Sequence, residues 1–330
     1  MKKRNLVFRI GKERHNFEAK INDNGKIVSR QFTTPISRVI SSSDGIVEFL
    51  EKVVLDVEAG REEVDLVFED SVYNVIRDNN LPQVVEVEVT TQLKSVFLKH
   101  VEGGEVKFGE LSPGTPQTVK IITYANGLEY TEDMVEYNKT YTIEAINKNF
   151  GIEYNKLKNK VEFAPILDVL ENGTGTGAQG EVDEAETVRI NKTLQKAILD
   201  YNKKEGVVGK PVLIMSSQDK FKVEAALEGT RTADGEKLAD LRGEFAEKIV
   251  YDGHESVKIG EKTYDFPGCP AGKVALVEPK RKAVVYEKHD LRIDADDGDF
   301  SRLIEDQVVG RGRFGVYMAA EDIVQKVTLP

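Results

Sequence analysis

The chain has 330 residues, of which 40% are apolar and 31% charged, an ordinary balance for a globular protein of one large or two medium domains. No apolar run approaches the roughly 20 residues that span a bilayer, and a single cysteine, Cys269, excludes an internal disulfide. The net charge of −11 argues against tight wrapping of nucleic acid, because phosphate binding depends on clustered Lys and Arg. It leaves open a container that encloses DNA without strong adhesion.

The first 91 residues alternate between strand and helix patterns. Residues 5–33 predict a β-hairpin whose Asn-Gly turn supplies the positive φ that tight hairpins need. Ser43 then caps a helix with a one-sided apolar stripe, and a second, shorter helix is expected over 66–76. The run 84–89 alternates with period two and predicts a strand. The stripe of the first helix consists of Ile46, Phe49, Leu50, Val53 and Val54.

The segment 92–130 has the pattern of a projecting arm. A strand-like run at 93–98 leads into a polar tip at 102–116 with four glycines and two prolines, and the chain returns through 119–124. An arm of this length cannot bury itself on its own body, and open strand edges pair readily with other chains. The pattern therefore predicts contact with a neighbouring molecule.

A long helical bar is expected next, within 131–182. Thr131 and two acidic residues mark its start, where the helix dipole favours negative charge. Apolar residues then repeat at helical spacing, with a break at Gly151 and an end near Pro165. The glycine-rich run 172–180 has the composition of a linker or loop.

The remaining chain predicts two further units and an overall α+β class. Within 183–245 a helix at 187–201, a buried strand at 211–215 and a helix at 219–227 form an α/β layer. Short strands separated by Gly, Pro and Asp clusters dominate 246–330. These strands are expected at 249–251, 257–259, 274–277, 283–286 and 316–318.

Two stretches match the G-x-G-x-x-G pattern of nucleotide-binding loops. The first, at Gly175, Gly177 and Gly180, follows a helix instead of a strand, and the second lies too near the carboxyl end for a βαβ unit to follow. Neither supports a nucleotide site. The glycines of the second stretch are Gly310, Gly312 and Gly315.

Ser217 and Lys220 match S-x-x-K at a strand-to-helix turn, as in a serine hydrolase, but the companion motifs are missing and helix capping explains the serines. The acidic run 294–299 suggests a calcium loop, with Glu305 at the twelfth position. Gly298 occupies a ligand position and Asp299 the position that needs glycine, so a solvated turn is favoured. No catalytic residue, cofactor or metal is predicted.

Histidines and basic residues add no further site. His15, His100, His254 and His289 belong to different elements and have no cysteine partner. Lys and Arg are spread among Asp and Glu without a basic stripe along the chain, and tryptophan is absent.

The order of arm, bar and β-rich tail resembles that of the major capsid proteins of tailed bacteriophages, the Hong Kong 97 type. Residues 64–73 with Leu81-Pro82 are similar to the helix and exit after that family's N-terminal arm, and 122–134 to the return of its extended loop into a spine helix. The tail phrases 268–273, 287–292 and 323–330 resemble its closing strands.

The resemblance implies a fold in five parts. An N-terminal hairpin or arm and the entry to a peripheral domain occupy 1–91, and an extended β-hairpin loop occupies 92–130. The peripheral domain with its long spine helix follows at 131–182, an axial domain at 183–245, and a β-rich return through both at 246–330. Because the hairpin begins almost at the first residue, any scaffold is expected to be a separate protein.

The implied contact residues lie on the extended loop. Some family members crosslink a loop lysine to an asparagine of a neighbour, although lysine is expected on any exposed arm. The residues expected to touch a neighbouring subunit are Lys99, Val101, Val106, Lys107, Phe108 and Leu111.

The function implied is a non-enzymatic major capsid protein. It would assemble with itself as hexamers and pentamers into an icosahedral virion shell, formed in the host cytoplasm with a scaffold and a portal. The shell would enclose double-stranded DNA without reading its sequence, and no membrane is involved. Two alternatives remain open: an encapsulin-type compartment enclosing a cargo enzyme, and a soluble hydrolase using Ser217 and Lys220.

Overall fold

The computed structural model describes residues 2–10, 13–28, 43–89, 115–131, 133–134, 137, 140–181, 183–204, 207–229, 231, 235, 237–259, 262–297 and 304–330. The helices are α1 (Ser43–Arg61), α2 (Val67–Ser71), α3 (Thr140–Asn172), α4 (Glu186–Asn202), α5 (Ser217–Leu227) and α6 (Ala320–Ile323). The strands are β1 (Lys2–Ile10), β2 (Glu13–Ile21), β3 (Asn74–Arg77), β4 (Val84–Val89), β5 (Thr115–Lys120), β6 (Ile122–Thr131), β7 (Gly175–Thr176), β8 (Val212–Met215), β9 (Glu247–Val250), β10 (Glu255–Ile259), β11 (Lys262–Phe266), β12 (Lys273–Val277), β13 (Ala283–Asp297), β14 (Ile304–Met318) and β15 (Val324–Thr328).

The larger sheet has six strands, five of them in the order β2-β1-β13-β14-β6. The sixth, β3, pairs in parallel with residues 284–287 at the start of β13. Its centre is the antiparallel pair β13 and β14, each 15 residues long. The sequence predicted strands only at 283–286, the start of β13, and at 316–318, the end of β14. The rest of each strand carries charged residues, which hide the apolar pattern of a strand.

The N-terminal hairpin pairs differently from the sequence expectation. Strands β1 and β2 pair over nine residues each, from Lys2 opposite Ile21 to Ile10 opposite Glu13, so the connection lies at residues 11–12. The predicted Asn24-Gly25 turn does form, with Gly25 at φ +80°, but only an isolated bridge between Ile21 and Ile27 follows it. Because apolar residues of β1 are buried in the core, the pairing of β1 with β2 outweighs the local preference for a hairpin around Asn24-Gly25.

Helices α1 and α3 cover one face of this sheet. Phe49 and Val53 of α1 pack with Phe8 of β1 and Ile293 of β13, and all four side chains are buried. Burying apolar side chains of this size stabilises the fold by roughly 2 kcal/mol each. The core thus fixes α1 and α3 on the same side of the sheet.

The two helices approach one another backbone to backbone. A Cβ on Gly60 of α1 would lie 2.0 Å from the carbonyl oxygen of Lys148, and a Cβ on Gly151 of α3 would lie 2.0 Å from that of Val57. The predicted helix break at Gly151 is therefore wrong. The residue is glycine because the helices touch there, and α3 runs through it without interruption.

Pro165 does not end the helix either, because α3 continues to Asn172. The proline leaves one carbonyl of the preceding turn without its helical donor, which ordinarily costs about 3 kcal/mol. On both sides of it, Phe163, Ile166 and Leu170 are buried in a second apolar core. This packing holds the last turns in place, an example of tertiary contacts overriding local propensity.

The smaller sheet has five strands in the order β7-β15-β12-β8-β9 and is buried on both faces. Leu213 and Leu276 point into a core with α4 and α5, whereas Ile214 and Val277 point into the core formed with the second half of α3. Continuous apolar runs suit strands covered on both sides. Helix α3 thus packs against both sheets.

The structure differs from the sequence predictions at two places near the arm. The helix expected over 66–76 ends at Ser71, because Asn74–Arg77 pairs with β13 as a strand. Strand β4 pairs antiparallel with β5, from Val84 opposite Lys120 to Val89 opposite Thr115. The described base of the extended hairpin therefore starts at Val84, and the expected strand at 93–98 lies outside the described residues. The chain from Ile122 belongs to the larger sheet.

Candidate functional site: the groove beside the long helix

A groove of about 600 Å³ runs between α3, strand β6 and the β10–β11 hairpin. Its floor consists of Phe150, Tyr154 and Leu157, which follow one another at helical spacing on α3. Phe266 of β11 and Leu291 of β13 extend the apolar lining on either side. An apolar trough of this size can receive side chains of a protein or peptide partner.

The strand that borders the groove is the edge of the larger sheet. In the described part of the chain β6 pairs only with β14, and its Ala125 and Asn126 line the groove. An edge strand presents backbone donors and acceptors that another strand can use. The groove therefore offers main-chain hydrogen bonds beside an apolar floor, the two features that strand addition uses.

Strand β14 makes room for the floor by having no side chains there. A Cβ on Gly310 would lie 2.4 Å from the Phe150 ring, and one on Gly312 would lie 2.2 Å from the Tyr154 hydroxyl. The second G-x-G-x-x-G stretch therefore serves close packing of α3 on the sheet, not nucleotide binding. Alternate glycines facing aromatic residues are the sequence signal that could have revealed this floor.

Charged residues form the rim of the groove. Lys160 ion-pairs with Glu255 and lies 4.2 Å from the centre of the Phe266 ring. Lys156 bridges Glu153 at 2.7 Å and Glu255 at 3.8 Å. The hydrogen bond from Lys160, together with its charge, holds the pKa of Glu255 below its usual value. These contacts fix the β10–β11 hairpin against α3 and keep the groove open.

A buried ionic cluster anchors α3 behind the groove. The Lys158 ammonium, 1% exposed, pairs with Glu69 of α2 and, at 2.8 Å, with Glu287 of β13. Arg77 of β3 contacts the same two carboxylates at 3.1 and 3.3 Å. Removing one member of such a cluster leaves a buried charge without its partner, which destabilises the protein strongly. The cluster therefore holds α3, α2 and β13 in one relative position.

One turn further along, Glu162 is fully buried, and within the described chain neither carboxylate oxygen has a hydrogen-bond partner. Burial first, and then the charge of Glu69, raise the pKa of Glu162 to about 8, although Lys158 opposes the shift. At neutral pH this side chain is therefore a neutral carboxylic acid. The same region contains Tyr73, whose hydroxyl donates to the Glu162 carbonyl at 2.6 Å.

Polar side chains of α3 also hold the segment after α1. The Asn155 amide donates to the carbonyls of Arg61 and Val64 at 2.8 and 2.9 Å, and Asn159 donates to that of Asp65 at 2.9 Å. These bonds satisfy carbonyls of the last residue of α1 and of the loop that follows it. They complete the attachment of α1 to α3.

The predicted contact residues of the arm, at positions 99, 101, 106, 107, 108 and 111, lie outside the described residues. Only the base of that arm, β4 with β5, is described, and it leads directly into the edge strand β6. The contact role of those six side chains stays a prediction.

The serine and lysine of the S-x-x-K match lie in the first turn of α5. Ser216 caps α5 by accepting from the Asp219 amide, and the Asp219 carboxylate also accepts from the Gly272 amide at 2.7 Å. Ser217 and Lys220 share no hydrogen bond in the described structure, and Lys220 lies against Phe221. The capping interpretation of this turn is confirmed.

The remaining motifs have structural roles. Asp294 lies in β13 and accepts from Arg292 at two points, both 2.9 Å, so its carboxylate is already paired. No group of His, Cys, Asp and Glu suited to a metal occurs among the described residues. Burial, and then Asp219 and Asp252, raise the pKa of Cys269 to about 12, so this buried thiol is inert. No helix in the described chain is long and apolar enough to cross a membrane.

Comparison with known proteins found no matching family model and no matching curated protein. Solved structures do match. A virus-like particle from Pyrococcus furiosus has a TM-score of 0.52 at 12% identity and covers 84% of this chain and 99% of its own. The capsid of Myoviridae phage XM1 has a TM-score of 0.51 at 11% identity, with 80% and 92% covered. A structure from Mycobacterium phage Bobi has a TM-score of 0.51 at 12% identity, with 80% and 90% covered.

These likenesses span most of both chains and show the fold. The tailed-phage major capsid fold, of mixed α+β class, is the one that the sequence resemblance predicts. The division into five parts stays a prediction.

Proposed function

We propose, from this shared fold, that the protein is a non-enzymatic shell subunit that assembles with copies of itself into a closed icosahedral particle. The observation that supports this most directly is the position of the hairpin base, β4 with β5, which leads into a groove with an apolar floor and with a strand edge, β6, that is unpaired in the described chain. Complementary surfaces of this kind on one chain make a heterologous contact, and repetition of that contact around rings closes a shell.

The extended loop of one copy is proposed to occupy the groove of the next. Val101, Val106, Phe108 and Leu111 supply apolar side chains for the floor. Lys99 and Lys107 would compete with Lys156 and Lys160 for the carboxylates of Glu153 and Glu255, which are already ion-paired at the rim. The proposed match between loop and groove therefore rests on apolar character, because two acidic and two basic residues balance one another at the rim.

The leading version of the proposal is a phage capsid in a virion, built in the host cytoplasm with a separate scaffold and a portal around double-stranded DNA. The alternative is an encapsulin-type compartment that encloses a cargo enzyme. The virus-like particle among the matching structures keeps the alternative open, because the present chain covers 99% of it. Nucleic acid co-purifying inside nuclease-treated particles favours the capsid, and protein cargo favours the compartment.

Two complementary variants test the contact between the loop and the groove. Replacing residues 93–111 by a short Gly-Ser turn removes the loop and keeps β4 and β5, whereas Leu157→Glu places a charge on the groove floor. We expect each variant alone to stay monomeric in analytical ultracentrifugation and to give no particles by electron microscopy. Wild-type protein at the same concentration gives rings, sheets or spheres.

Mixing the two variants provides the control. Each variant retains the half that the other lacks, so a one-to-one mixture is expected to form heterodimers while neither variant forms homodimers. Normal particles from either variant alone would contradict the proposed contact. A wild-type chain that stays monomeric at every concentration, with and without co-expressed phage-type scaffold, would contradict the shell itself.

A further inference from the structure

The face of the larger sheet that points away from α1 and α3 has a distinctive charge. Along β1, Leu6 and Phe8 are buried in the core with the helices. Side chains alternate across a strand, so Lys3 and Arg9 project from the opposite face. Lys3 has 62% of its side chain exposed, which agrees with this geometry.

The register of the sheet places like charges directly opposite one another on this face. Lys3 is opposite Lys20 and Arg9 is opposite Arg14 in the β1–β2 pair, and Arg292 is opposite Arg311 in the β13–β14 pair. Like charges in directly opposed positions destabilise a sheet. Three such pairs on one face reduce the stability of the fold. A surface that keeps them despite this cost is a candidate for binding an anion.

Acidic residues neutralise only part of this surface. Glu18 pairs with Lys3, and Asp294 is held by Arg292 and, at 3.7 Å, by Arg311. Glu129 is exposed at the far edge, on β6. Within the described chain four cations of this face have no ion pair. They are Arg9, Arg14, Lys20 and Arg313.

The cations also influence the histidine at the centre of the face. His289 is opposite Arg313 in the β13–β14 register, and its Nδ1 lies 3.0 Å from Asn79. Partial burial, and then the positive charges of Arg292, Arg313, Lys288 and Arg9, lower the pKa of His289. Cations from β1, β13 and β14 therefore lie near enough to one another to act on the same side chain.

This basic face contrasts with the rest of the molecule. The whole chain has a net charge of −11, yet its first 21 residues contain seven Lys and Arg against two Glu. The absence of a basic stripe along the sequence is therefore misleading. The stripe crosses strands β2, β1, β13 and β14, and only their pairing assembles it.

We propose that this face binds the phosphodiester backbone of nucleic acid without reading its bases. Arginine forks bind phosphate oxygens at two points, and cations spaced about 5 Å across strands and about 7 Å along them can contact successive phosphates. The apolar groove described above lies on the helix-covered face, whereas charged and polar groups predominate on this face and Val7 and Val309 lie singly among them. An acidic peptide is the competing ligand, and the experiment below tests it directly.

The proposal concerns the isolated subunit as well as the particle. The orientation of this face towards an enclosed genome rests on the proposed shell function. The binding of nucleic acid by this face does not depend on that function. The two are therefore measured separately, binding on unassembled protein and assembly by electron microscopy.

The test compares two quadruple variants with the same change in net charge. The first neutralises the face through Arg9→Gln, Arg14→Gln, Lys20→Gln and Arg313→Gln. The control neutralises exposed cations elsewhere through Lys203→Gln, Arg231→Gln, Lys237→Gln and Lys248→Gln. Fluorescence anisotropy measures binding to a 30-base-pair duplex of random sequence between 50 and 200 mM salt. A polyglutamate peptide of equal charge serves as the competing anion.

We expect wild type and control to bind the duplex with the same affinity and the same steep salt dependence. The first variant should bind at least tenfold more weakly at low salt, with a log–log salt slope smaller by about three to four, close to one per lost phosphate contact. Its thermal midpoint should not fall, because the substitutions remove repulsion. The pair Arg9→Gln and Arg14→Gln alone should give about half the change in slope.

Three results would overturn the proposal: no duplex binding by wild type at 50 mM salt, an equal loss in both quadruple variants, or tighter binding of polyglutamate than of duplex. Particles that assemble normally from a first variant that no longer binds DNA leave the shell function intact. DNA binding by a wild-type chain that never assembles supports the basic face and contradicts the shell.

Discussion

The two sheets of this protein are stabilised in different ways. The five-stranded sheet is covered on both faces, and its strands β8 and β12 are almost wholly apolar. In the described part of the chain, helices cover the six-stranded sheet on one face only, where buried ions and glycine contacts hold α3, and the other face carries the basic residues. Apolar burial tolerates exchange among similar side chains, whereas ionic clusters and backbone contacts tolerate little. The larger sheet should therefore be more sensitive to single substitutions.

The largest loss of stability is expected when the buried cation of α3 is replaced. Lys158→Met should destabilise the protein by about 3–5 kcal/mol in urea unfolding, because Glu69 and Glu287 lose their buried partner. Lys156→Met is the control, since that ammonium is 40% exposed and its pairs contribute at most about 1 kcal/mol. Equal losses in the two variants would contradict the role of the cluster.

The next effect depends on pH. The folded pKa of Glu162, about 8, lies above its ordinary value of 4.5, so the folded state binds a proton that the unfolded state releases. Stability from this group therefore falls as pH rises from about 4.5 to 8 and is constant above. Glu162→Gln should match wild type near pH 4.5 and exceed it by roughly 3 kcal/mol at pH 7.

The measurement is the free energy of unfolding of wild type and Glu162→Gln at five pH values from 4.5 to 9. Taking the difference between the two proteins cancels the titration of all other groups that keep their pKa. A difference that does not change with pH would show that Glu162 is ionised or solvated in the folded protein.

A smaller loss is expected at the crossing of the helices. Gly151→Ala adds a methyl group 2.0 Å from the Val57 carbonyl oxygen, so α1 and α3 must separate at a cost of about 1–3 kcal/mol. Gly177→Ala is the matched control, because a Cβ there meets nothing within 4 Å. Thermal unfolding of both variants distinguishes a contact effect from the general helix preference for alanine, which would stabilise Gly151→Ala.

The smallest effect should come from the five-stranded sheet region. Ser216→Ala removes the cap of α5 and should cost about 1 kcal/mol, whereas Ser217→Ala should be nearly neutral. Circular dichroism during thermal unfolding measures both. Loss of an esterase activity in Ser217→Ala with unchanged assembly would instead revive the hydrolase alternative.

The comparison of the sheets also explains which predictions from the sequence were right. Strand β8 and the cap at Ser216 were found because the apolar run and the capping serine are local signals. The fold was found through resemblance in the order of its elements. The groove floor was missed, because Phe150, Tyr154 and Leu157 look like ordinary core positions until Gly310 and Gly312 are placed beneath two of them.

Local residue patterns by themselves determined the α+β class, the starts of α1 and α5 and the apolar strands of the smaller sheet, because propensity and periodicity act over a few neighbouring residues. The predicted start of the long helix at Thr131 is wrong: Thr131 pairs with β14 as the last residue of β6, and α3 begins at Thr140. Only the tertiary structure decided that Gly151 and Pro165 lie inside one helix, since packing partners from distant segments outweigh local preference there. The basic face is the clearest case. Arg9, Arg14, Arg292 and Arg313 come from separate strands, and hydrogen-bond register alone makes them neighbours.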